Sequence, residues 1–105
     1  MPESAAQGCT DAAARFAQIE AAIDGGRATA AMRVLFDETR QSCETLARHR
    51  GPAAPVAKNL VTAVAAWRDV WPRLGREADF RLAVAREAKR WAAELEALAK
   101  AARPG

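Results

Sequence analysis

Apolar side chains recur at spacings of three and four residues along most of the chain, and the phase of that recurrence resets three times. The first stripe is Cys9, Ala12, Phe16, Ile19 and Ile23. This period puts all five on one face of a helix, predicted over 10–24. Thr10 or Ser4 is placed to cap it, and Asp11 favours the positive end of its dipole. Gly25-Gly26 then supplies the positive φ at which helices commonly end. A second stripe, Ala28, Met32, Leu35, Phe36, Thr39, Cys43 and Leu46, predicts a helix over 27–49, with Arg48, His49 and Arg50 crowding its last turn. Gly51-Pro52-Ala53-Ala54-Pro55 breaks the chain, because proline begins a helix but does not continue one.

The third stripe is Val56, Leu60, Val64, Trp67 and Trp71, continuing to Leu74, and predicts a helix over 55–71. Pro72 and Gly75 mark a kink or short turn after it. The fourth is the cleanest: Phe80, Val84, Ala88, Trp91, Leu95, Leu98 and Ala102, a helix over 76–102. Residues 1–8 and 103–105 read as frayed ends. Four amphipathic helices with short connections imply antiparallel neighbours, hence an all-α, up-down four-helix bundle in a single domain. The same pattern admits a three-helix form if the first helix frays, or a dimer in which the last two helices pair as a longer hairpin.

Composition narrows this little further. At 105 residues there is room for one core. The charge of +3 comes from 16 Lys and Arg against 13 Asp and Glu, with both signs interleaved. That is the pattern of a solvated surface rather than a basic tail. Arg81, Arg86, Lys89, Arg90, Lys100 and Arg103 spread over the outer half of the fourth helix, but Asp79 and Glu96 dilute them. With no helix-turn-helix spacing or stacking aromatics either, the sequence argues against nucleic-acid binding. No stretch is long and apolar enough to span a membrane. No basic and apolar leader precedes the first helix.

The cysteines carry the sharpest geometric signal. Cys9 lies 16 residues before Gly25, and Cys43 lies 17 after Gly26. Equal distance from the turn of an antiparallel hairpin means equal height, and both residues lie on apolar stripes. The expectation is a Cys9–Cys43 disulfide, closing a loop of about 35 residues and worth roughly 3–4 kcal/mol. It would point to a periplasmic or secreted protein, and its absence to a cytoplasmic one. The alternative is a pair of buried free thiols.

Candidate chemistry is sparse. His49 is the only histidine, flanked by two arginines and lacking an orienting carboxylate. Glu87 and Glu94 flank the fourth stripe without the histidine partners of a bundle metal site. No nucleophile motif, phosphate-binding loop or metal-ligand spacing occurs, so no enzyme, metal or cofactor is implied. Two readings remain. One is an interaction module that binds a protein partner or a second copy, through Val34, Val61 and Leu82, which point away from their own stripes. The other is a ligand-binding bundle with a pocket among Trp67, Trp71 and Trp91. More often such tryptophans simply fill the core.

Overall fold

A computed structural model describes residues 4–27 and 29–102. Four helices follow in order: α1 (Ala5–Asp24), α2 (Thr29–Ala47), α3 (Ala53–Leu74) and α4 (Ala78–Ala102). No strand occurs among the described residues. The bundle measures 43 × 21 × 20 Å, a length consistent with helices of 19 to 25 residues lying side by side.

The ends of the helices have identifiable causes. Ser4 caps α1, its hydroxyl oxygen accepting from the Gln7 N–H at 3.1 Å. Thr10, the other candidate cap, instead donates its hydroxyl to the Ala6 carbonyl within the helix at 3.1 Å. Residues 5–8 are therefore helical, a correction to the expected frayed end. The remainder of that expectation, at 1–3 and 103–105, and Ala28 of the second stripe lie outside the described residues. At the other end of α1, Gly26 has φ 68°. The Gly26 and Arg27 amides donate back to the carbonyls of Ile23 and Ala22 at 3.1 and 3.0 Å. These two nested bonds close the turn and satisfy carbonyls that the helix leaves open. α3 runs three residues beyond Trp71, with Pro72 tolerated in its exposed last turn.

The core is one cluster running the length of the bundle. Phe16, Ile19, Met32, Phe36, Leu46, Leu60, Val64, Val84 and Leu95 are wholly buried in it, and among the described residues Thr39 is the one polar side chain buried with them.

 Thr39, the buried polar side chain, returns its hydroxyl to the Leu35 carbonyl one turn earlier at 2.7 Å.

Spacing between helices follows side-chain size. α1 packs closely on α4, α2 on α3, and α1 on α2, whereas α3 and α4 come close at only a few residues. α1 buries Cys9, Ala12 and Ala13, and α4 buries Ala85, Ala88 and Ala99, small side chains that let their backbones approach. Across the α3–α4 seam Trp71 meets Phe80 with ring centroids 5.8 Å apart, a pair of large side chains in place of the small ones between α1 and α4. The bundle therefore has three tight seams and one wide one.

Candidate functional site

The cysteines come first, because the structure corrects the expectation about them. Cys9 and Cys43 are free thiols, each wholly buried, and no disulfide joins them. The height argument itself holds. A side-chain carbon on Gly8 would lie 3.2 Å from Leu46 Cδ1, and Arg15 pairs with Glu38 at 2.7 Å. These contacts put Cys9 and Cys43 within about two residues of level. What fails is direction. Gly8 and Ser42 line the groove between α1 and α2. Each cysteine is one residue, or about 100°, further round its helix, and so points into the bundle rather than across that contact. Burial raises the Cys9 pKa. Burial, and secondarily the Glu44 charge, pushes the Cys43 thiol up to about 12. Both are poor nucleophiles in the folded state.

The three tryptophans separate into two environments. Trp67 meets Phe16 edge-on at 6.2 Å and Phe36 at 6.3 Å. Trp71 meets Phe36 at 5.3 Å and Phe80 at 5.8 Å. These five rings, from all four helices, form one packed chain. Trp91 is half-buried and covered by its neighbour, the Arg90 guanidinium carbon lying 4.9 Å from the ring centroid. Trp67 and Trp71 thus serve the core, and Trp91 sits outside their cluster. Gly75 is what allows Trp71 its position, because a Cβ there would fall 2.7 Å from the indole Nε1 and 2.6 Å from the Trp71 carbonyl oxygen.

The three off-stripe apolar residues do not form one surface. Val34 is 55% exposed on α2, and Leu82 is 49% exposed on α4. Val61 is partly buried and packs against the core, lining a hollow with Glu44 and Ala47 of α2 and Arg48 just beyond it. Leu74, assigned to the third stripe, is instead exposed at the end of α3. Periodicity places Leu74 in phase with the core, but the helix ends there and no neighbour covers it.

The wide α3–α4 seam is the surface that single-stripe reasoning missed. Arg68 reaches Asp37, and Val61 meets Ala47, so that flank of α3 faces α2. The opposite flank carries Val56, Ala63, Trp67 and Val70, all half-buried, toward α4. The matching flank of α4 carries Phe80, Glu87, Trp91 and Leu98, also half-buried. Next to this seam Asn59, Thr62 and Ala66 are exposed, and no charged residue occurs from Asn59 to Trp67. An uncharged outer face of more than two turns could have been read from the sequence.

Charged groups are engaged in shallow pairs. Glu87 and Glu94 both approach Arg90 on their own helix, at 3.8 and 3.7 Å, rather than a neighbouring helix. Arg68 Nε lies 2.6 Å from Asp37 Oδ1, yet the two are not aligned for a hydrogen bond, leaving a contact ion pair of small worth at a half-exposed site. His49 is half-buried at the α2–α3 turn. Among the described residues no group of three or more His, Cys, Asp or Glu is placed to hold a metal ion. Among the described residues no helix is long and apolar enough to cross a membrane. Comparison with models of known protein families, with curated proteins and with solved structures finds no match.

Proposed function

We propose that this protein is a non-catalytic interaction module that docks an apolar helical face of another protein chain, a second copy included, along the α3–α4 seam. The observation that carries the reading is the pair of half-buried tryptophans, Trp67 and Trp91, on facing flanks of the two helices that approach each other least. Large aromatic side chains in partly desolvated positions are the usual anchors of protein interfaces. The strip beside them on α3, Asn59 to Ala66, is uncharged, so a partner helix meets charge only on the α4 side, at Glu87 and Arg90.

Ala66→Arg tests this reading. It places a charge in that strip at an exposed position, where the bundle itself tolerates it. Sedimentation equilibrium from micromolar to millimolar protein reads self-association. Selection of amphipathic helical peptides against the wild-type bundle reads a heterologous partner. The reading is supported by a rise in mass, or by selected peptides, that Ala66→Arg abolishes at unchanged melting temperature. Strict monomer behaviour combined with no peptide sensitive to Ala66→Arg sinks it.

A further inference from the structure

A hollow of about 480 Å³ opens between α1 and α2 beside the Gly25-Gly26 turn, on the side of the bundle away from the aromatic seam. Its cause is local. Ala21 and Ala22 on α1 face Ala31 on α2, and three methyl groups cannot fill the space between two helices whose separation is fixed elsewhere. Leu35 closes the floor and Val34 stands on the rim, the most exposed of the large apolar side chains. The polar groups in the lining are Gln18 and Arg27.

The lining of this hollow carries charge of one sign only. Arg27 is exposed, and none of the described ion pairs engages it. No acidic side chain lines the hollow. Glu38, one turn along the same face of α2 from Val34, is held by Arg15 at 2.7 Å. The neighbouring hollow further down the α1–α2 groove is different in kind. It is lined by Asp11, Arg15 and Glu38 with Gln41, Ser42 and Thr45, a polar wall in which the arginine is already paired with Glu38, so the apolar trough with its unpaired cation is confined to the turn end.

We infer that this trough binds a small aliphatic carboxylate. The hydrocarbon chain lies along Ala21, Ala22, Ala31 and Leu35 and under Val34, and the carboxylate meets the Arg27 guanidinium at the mouth. The volume falls in the range of small-ligand sites, which combine an apolar lining with a few convergent polar groups. A guanidinium suits a carboxylate because its paired N–H groups match the two oxygens. The site is separate from the proposed docking seam, and either stands without the other.

The test is a titration of the full chain with octanoate, below its micelle concentration, followed by amide chemical shifts. Shifts are expected to be largest at Gln18, Ala21, Ala22, Ala31, Val34 and Leu35. Arg27→Gln is expected to weaken binding about tenfold, the scale of one charge-assisted contact. Ala31→Leu, which fills the trough, is expected to abolish it. Octanol, with the same chain and no charge, is expected to bind at least as weakly to wild type as octanoate does to Arg27→Gln. Both substitutions lie at accessible positions, and an unchanged far-ultraviolet spectrum and melting temperature establish that the bundle is intact. The inference is overturned if octanoate causes no shifts, if the shifts centre on Trp67 and Trp91, or if octanol binds as well as octanoate.

Discussion

Arg81 leaves α4 in its first turn and ends with its guanidinium between two carbonyl oxygens, 2.6 Å from that of Ile23 and 3.0 Å from that of Gly75, while the Trp71 ring lies 5.9 Å away. One side chain thus ties α4 to the end of α1 and to the α3–α4 turn. Arg81→Met is expected to lower stability by about 2 kcal/mol, since it removes two charge-assisted bonds at a half-buried site. Arg81→Lys is expected to recover little of that, because an ammonium lacks the fork that spans both acceptors. Urea denaturation of the three proteins measures it, and full recovery by lysine would refute the fork. Cys43 makes the second prediction at this scale. Burial pushes its folded pKa up to about 12 from an ordinary thiol value of 9.0, so above pH 9 the unfolded chain gives up a proton that the folded one keeps. This contribution to stability is complete below pH 9 and is lost as pH rises towards 12. Stability measured across that window is expected to fall more steeply in wild type than in Cys43→Ala, and equal slopes would exclude the thiol as a cause.

At the scale of elements, the α1–α2 turn depends on a left-handed residue. Gly26→Ala adds a Cβ at φ 68°, in open space but in a conformation that costs an L-residue about 1–2 kcal/mol. Thermal unfolding is expected to show a loss of that size, and Gly25→Ala, at φ −81°, a smaller one. If the two substitutions cost the same, backbone conformation is not what Gly26 provides. The helices themselves were legible in the chain. Their stripes recur at the helical period, and their limits fall at Ser4, the glycine pair and the Gly51-Pro52 break, where capping and φ preferences act locally. The extension of α3 past Trp71 was less legible. A proline ends a helix by sequence rule, but Pro72 here sits in an exposed last turn, where the bundle holds the chain helical to Leu74.

At the scale of the molecule, the five-ring chain from Phe16 to Phe80 joins all four helices, and Phe36 is its middle link, touching both Trp67 and Trp71. Phe36→Ala is expected to cost about 3–5 kcal/mol, the range for removing a buried aromatic and leaving its cavity. It should also raise the solvent accessibility of tryptophan, read by acrylamide quenching. A loss below about 1 kcal/mol would mean that the rings repack without it. The surface ion pairs, each of whose side chains is about a third exposed or more, contribute little beside this.

The sequence by itself determined the number of helices, their buried faces and the relative heights of residues on neighbouring helices. These depend on the 3.6-residue period, the 1.5 Å rise and local turn chemistry, all of which can be counted along one chain. The equal height of Cys9 and Cys43 is of this kind. Direction around each helix relative to its neighbours was decided by tertiary structure, because it depends on how all four helices settle against one another. Cys9 and Cys43 therefore share a level yet remain free thiols, and Trp91 stands apart from Trp67 and Trp71 although all three lie on core stripes. Which seam is wide, and where small residues leave a trough beside Arg27, followed from the same joint packing.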